Sequence, residues 1–193
     1  MKSFPKIINV VLHPVVVTIP GVFLIVYKNT GSVSMALWWT MISLIFSAII
    51  AMFVLYGVKK GFFNNLDVSN RKQRIILYPV IIIVVVLFSC FVYFTNGPKV
   101  LIEASALIIT ALILLDIVNT RIKVSGHVGV VSAFVTGLIY AFGGLSFFSL
   151  LLIPLIAWAR IVEKRHTLKE TIVGAVCGIL LSALAITVVE LIK

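Results

Sequence analysis

The sequence predicts an all-α fold, a polytopic bundle of six to seven transmembrane helices, on three observations. Hydrophobic residues make up 62% of the 193 positions and charged residues only 11%, against roughly 45–50% and about 25% in soluble domains. Several apolar stretches approach or exceed the ~20 residues that a helix needs to cross a ~30 Å hydrocarbon layer. The charged residues that do occur gather in short breaks between those stretches. A water-soluble core has no use for so much apolar surface, and a helix satisfies its own backbone groups in lipid.

Taken in chain order, the spans are expected at Ile8–Tyr27, Ser34–Val58, Ile75–Phe94, Val100–Val118, His127–Phe142, Leu145–Ala159 and Thr171–Ile192. Lys2 and Lys6 precede the first, which lacks a small-residue cleavage pattern and reads as a retained helix. Pro14, Pro20, Pro79 and Pro154 fall inside spans, where neighbouring helices re-satisfy the freed carbonyls, so they read as kinks. The fifth and sixth spans are short, and Gly143-Gly144 between them leaves room only for a tight turn. They read as a helical hairpin beside a site recessed into the bilayer. Trp38, Trp39, Tyr27 and Trp158 near span ends suit interfacial anchoring. Cys90 and Cys177 lie in apolar segments and read as small hydrophobes, with no disulfide framework or cysteine metal site. The whole chain, 1–193, reads as one membrane-embedded domain with polar loops at about 59–74, 119–127 and 160–170.

Alternating the spans puts the N-terminus and all three polar loops on one side, with Lys28, Lys99 and Lys193 on the other. The split of Lys and Arg is then 13 against 3. With Arg71, Arg74, Lys123 and Arg160 set aside as candidate site residues, 9 remain against 3. The positive-inside rule therefore places the N-terminus and polar loops in the cytoplasm of a multi-pass cell-membrane protein. The net charge of +10 reports this topology and contact with anionic membrane lipid. Nucleic acid is not expected as a partner, because no soluble domain is present to hold it.

Ionisable residues are costly in a membrane, so their grouping carries information. The three groups are Asp67-Val68-Ser69-Asn70-Arg71-Lys72-Gln73-Arg74, then Arg121-Ile122-Lys123-Val124-Ser125-Gly126-His127, then the run from Arg160 to Glu170. An even number of spans separates successive groups, the condition for all three to converge on one site. The set suits a phosphate. Arg offers paired donors to phosphate oxygens, and Ser125-Gly126 opens a helix whose free amides and dipole favour an anion. His166 and Glu170, four apart, share a helical face, so the carboxylate is placed to fix the imidazole tautomer of a nucleophile.

These residues resemble the signature of the type 2 phosphatidic-acid phosphatase and vanadium haloperoxidase superfamily. Its second and third motifs are Pro-Ser-Gly-His and Ser-Arg-x5-His-x3-Asp. Here stand Val124-Ser125-Gly126-His127 and Ala159-Arg160, five residues, His166, three residues, Glu170. The family's first motif, Lys-x6-Arg-Pro, is not present as written; its best counterpart is Asn70-Arg71-Lys72-Gln73-Arg74, with Arg74 placed before Arg71. The resemblance implies a divergent membrane member that hydrolyses a lipid phosphate or pyrophosphate with no metal or other cofactor. It implies His166 as the nucleophile forming a phosphohistidine, Glu170 as its orienting acid, and His127 as the acid that protonates the leaving oxygen. Arg160, Ser125 and Gly126 become phosphate ligands, joined by Lys123, Arg74 and Arg71. His13 matches no motif and reads as structural. The rival expectation is an inactive relative or a transporter that only binds anionic lipid. Intramembrane prenyltransferases are excluded, since the six acidic residues include no paired Asp-x3-Asp to hold a magnesium-pyrophosphate.

Overall fold

The computed structural model describes residues 4–192; Lys2 and Lys193, counted in the charge asymmetry, lie outside the described residues. The chain is 83% helical, with no strand among the described residues. It is an all-α polytopic membrane protein. The helices are α1 (Phe4–Val11), α2 (Pro14–Thr30), α3 (Val33–Lys59), α4 (Arg71–Phe94), α5 (Lys99–Asn119), α6 (Gly126–Phe142), α7 (Leu152–Val162) and α8 (Leu168–Ile192), with a 3₁₀ helix at Gly144–Leu151 leading into α7.

Among the described residues, α3, α4, α5, α8 and the continuous helical stretch Gly144–Val162 are each long and apolar enough to cross a membrane. The pair α1 and α2 qualifies as one span bent by 43°. The expected sixth span, Leu145–Ala159, is thus longer in the structure, because α7 runs on through Arg160, Ile161 and Val162. α6, with 17 residues, stays short. The tight turn before Gly144–Leu151 is present: Gly143 and Gly144 take φ of 55° and 43°, a region that residues with a Cβ enter only at a cost. Pro20, Pro79 and Pro154 lie within helices as expected, whereas Pro14 begins one. Proline disfavours the α region for the residue before it, and the first span breaks between α1 and α2 at residues 12 and 13.

The chain forms two compact units, Met1–Gly21 with Ile122–Lys193, and Val22–Arg121. In the first, Ile8, Leu12 and Val17 pack with Val128, Val131 and Val135 of α6 and with Ile156 and Ala159 of α7. α6 and α8 approach through small residues. A Cβ on Gly178 would lie 2.2 Å from the Gly129 carbonyl oxygen, and one on Gly174 would lie 2.6 Å from that of Ser125. One turn further along α8, the Ser182 hydroxyl donates to the Ala133 carbonyl at 3.2 Å. Gly174, Gly178 and Ser182 recur every four residues on one face. Between membrane helices, where lipid is as apolar as leucine, such backbone contact supplies the dispersion and hydrogen bonding that hold the pair.

In the second unit α4 packs against both α3 and α5, over a core of Val26, Ala36, Trp39, Ile42, Val92 and Leu101. Ser32 caps α3 by accepting the Met35 amide at 3.2 Å, and Asn70 caps α4 by accepting that of Lys72 at 3.0 Å. Trp39 corrects an expectation. It is 5% exposed, and its ring lies where a Cβ on Gly97 would stand, 2.4 Å from Cζ2. It is a core residue, while Trp38, Tyr27 and Trp158 keep the exposure an interfacial anchor requires. The remaining exposed apolar surface, from Ile75 and Leu87 to Leu180 and Leu184, is what lipid-facing helices present.

Candidate functional site

The chain between α7 and α8 builds the centre of the site in the first unit. α7 ends in a Schellman closure, in which the Lys164 amide donates to the Ile161 carbonyl at 2.9 Å and the Arg165 amide to the Arg160 carbonyl at 3.0 Å. Lys164 takes the left-handed conformation this closure requires, φ 55°. The His166 amide also reaches the Arg160 carbonyl, at 3.3 Å. Helix α8 then starts with a capping box. The Thr167 amide donates to Glu170 Oε2 at 3.2 Å, and the Glu170 amide to Thr167 Oγ1 at 3.4 Å. Asn9 of α1 steadies this segment by donating to the Glu163 carboxylate at 2.7 Å.

The same Glu170 oxygen lies 2.8 Å from His166 Nδ1. The His166 side chain is 1% exposed. A carboxylate on Nδ1 favours the tautomer with its proton there, which leaves the lone pair on Nε2. Lys123 approaches from the α6 side, its ammonium 3.6 Å from Glu170 Oε2 and donating to the Arg165 carbonyl at 2.9 Å. The sequence reading made Lys123 a phosphate ligand; in the structure it ties the second polar segment to the third. The Ser125 amide makes another such tie, donating to the Glu170 carbonyl at 3.2 Å.

Ser125 is the N-cap of α6, yet its side chain makes no capping bond. It is 0% exposed, and its Oγ has no hydrogen-bond partner, an arrangement that costs about 1–3 kcal/mol unless something fills it. A Cβ on Gly126 would meet nothing within 4 Å. Unlike Gly174 and Gly178, Gly126 answers no packing demand of the protein, and it leaves the helix start open. His127 follows, 7% exposed. Arg160 is 1% exposed and among the most enclosed side chains of the molecule. A guanidinium so removed from water is tolerated only where polar or charged groups face it.

Lys123, Ser125, His166 and Glu170 are therefore joined directly by hydrogen bonds or an ion pair. Gly126 and His127 continue from Ser125, and Arg160 is joined to His166 through its backbone. Arg74 and Arg71 belong to the second unit. There Arg74, 5% exposed, donates from Nε to the Val68 carbonyl at 3.3 Å and from Nη1 to Asn119 Oδ1 at 3.4 Å. Arg71 is exposed and donates to the Thr120 carbonyl. In their own unit both join the loop before α4 to the end of α5.

Two residues escaped the sequence reading. Thr167 was legible, since Thr167-Leu168-Lys169-Glu170 is a capping-box pattern. His13 was not: its ring stands perpendicular to that of His127, with centroids 4.8 Å apart and an interplanar angle of 85°. Comparison with known protein families, with curated proteins and with solved structures finds no match to this chain.

Proposed function

We propose that this membrane protein is a lipid phosphate or pyrophosphate phosphatase that works through a phosphohistidine and needs no metal. The observation that carries the reading is the enclosed His166 ring with the Glu170 carboxylate on Nδ1 at 2.8 Å. Such a pair is what a histidine nucleophile requires. The unpartnered Ser125 hydroxyl at the open start of α6 supports it, as does the enclosed Arg160.

In the proposed reaction the phosphate is held by Arg160, the Ser125 hydroxyl and the first amides of α6, with Lys123 as the remaining candidate cation. His166 Nε2 attacks phosphorus, and the bond to the lipid oxygen breaks. His127 delivers a proton to that oxygen. Water then attacks the phosphohistidine, giving its proton to His127 while the P–N bond returns its electrons to His166. The held cations and amides stabilise the charge spread over the transferring group in both steps.

One observation favours a non-enzymatic reading, a lipid-phosphate binder. Glu170 also caps α8, a role that needs no chemistry. Inorganic phosphate release from phosphatidate and from a polyprenyl pyrophosphate, measured in detergent with chelator present, separates the two. The phosphatase reading expects release that chelator leaves unchanged; binding of either lipid without release sinks it.

We further propose that the polar loops and the N-terminus face the cytoplasm, on the 13-to-3 split of Lys and Arg. With Cys90 and Cys177 replaced by Ala, a single cysteine placed within residues 64–69 should resist membrane-impermeant thiol reagents in intact cells. It should label once the cells are opened. Ready labelling in intact cells would reverse the orientation and leave the chemistry untouched.

A further inference from the structure

The proposed mechanism makes no use of His13, yet the fold holds this residue firmly. Pro14 disfavours the α region for its predecessor; the first span breaks at Leu12 and His13, and His13 becomes the N-cap of α2. Its carbonyl accepts the amides of Val16 at 2.8 Å and Val17 at 3.0 Å. Its Nδ1 accepts the Val15 amide at 3.3 Å. An imidazole that accepts at Nδ1 carries its proton on Nε2 when neutral. The ring is thus tied to the backbone at one nitrogen.

Packing on either side of the break sets where that ring points. Ile8, Leu12 and Val17 lie in the same apolar core as Val128 and Val131, the first of which directly follows His127. His13 is held in this way beside His127, edge to face at 4.8 Å and 85°. Perpendicular contact between rings at this separation is the favoured aromatic geometry. A neighbouring ring so placed restricts rotation of the His127 side chain about its broad second torsion. For an acid that must meet one departing oxygen, that restriction has a consequence for rate, since a small misplacement of a reacting group costs heavily.

We propose that His13 is a positioning residue for His127, holding the imidazole in the rotamer that protonates the leaving oxygen. The inference rests on the phosphatase reading. It predicts that losing the His13 ring injures only those reactions whose leaving group needs a proton.

The test uses the purified full chain in detergent with two substrates, phosphatidate, whose leaving alkoxide needs protonation, and p-nitrophenyl phosphate, whose phenolate does not. His13→Asn removes the ring while keeping an N-cap acceptor for the Val15 amide. It should lower kcat on phosphatidate by about tenfold to a hundredfold with KM little changed. Turnover of p-nitrophenyl phosphate should stay within about twofold. Added to His127→Ala, the same change should cause no further loss on either substrate. His13→Gln supplies the same comparison should His13→Asn fail to fold, as judged by its melting temperature. Equal losses on the two substrates, no loss on phosphatidate, or additive losses in the double variant would each overturn the role of His13 while the parent remains an active phosphatase. A parent that releases phosphate from neither substrate fails the phosphatase reading, and this inference falls with it.

Discussion

His166→Ala should abolish phosphate release from every substrate, aryl phosphates included, with a loss of about 10⁴-fold or more. No leaving group, however good, compensates for a missing nucleophile. Binding of the lipid phosphate should survive, since Arg160, the Ser125 hydroxyl and the α6 amides remain. The side chain lies inside a segment whose shape comes from bonds that do not involve the imidazole, the Schellman closure at Arg160 and Lys164 and the cap at Thr167, so its removal leaves the turn intact. Rapid quench with labelled substrate should trap an acid-labile phosphoprotein in the parent and none in the variant. If the alanine variant turns over as fast as the parent, His166 is not the nucleophile, however well its spacing matches the family pattern.

Glu170→Gln should cut turnover by about 10² to 10⁴-fold while leaving the fold in place, and this second expectation separates two roles that one carboxylate holds. Gln serves a capping box as well as Glu does, so the bond from the Thr167 amide persists and the melting temperature should change little. Opposite His166 Nδ1, however, a neutral amide no longer favours the Nδ1–H tautomer, the kind of loss known to be severe in catalytic triads. Glu170→Asp, which keeps a carboxylate and matches the pattern the sequence resembles, should retain more activity than Glu170→Gln. The measurements are kcat on phosphatidate and melting temperature for each purified variant. A Gln variant that is folded and within about threefold of the parent would make Glu170 a cap and nothing more.

What the sequence disclosed about this site follows the range of the interactions involved. The His166–Glu170 pair was expected from a shared helical face; His166 instead lies in the turn two residues before α8, and the pair forms because Glu170, in the first turn of the helix, reaches back past Thr167 to the imidazole. The turn at Gly143-Gly144 was legible because only glycine enters that backbone region cheaply. The role of Trp39 was not, since a tryptophan near a span end looks the same whether it faces the interface or covers Gly97. Likewise nothing near His13 in the chain mentions His127; only the packing of Leu12 and Val17 against Val128 and Val131 brings them together. The small-residue period Gly174, Gly178, Ser182 stood in the sequence, but its partner surface at Ser125, Gly129 and Ala133 belongs to a helix far away along the chain.

The helix-ending turn after α7 also gives the five-residue interval between Arg160 and His166 a mechanical origin. Two amides, those of Arg165 and His166, converge on the single carbonyl of Arg160, so the count of residues is a length standard cut by backbone hydrogen bonding, with the chemistry reading off its far end. Apart from Glu163, whose carboxylate Asn9 holds, side chains within the interval have latitude provided that one residue accepts the left-handed conformation, as Lys164 does here. Adding or deleting a residue is another matter: it would rotate His166 away from Glu170 and shift the start of α8 in the same stroke. The interval is therefore rigid in number and permissive in composition.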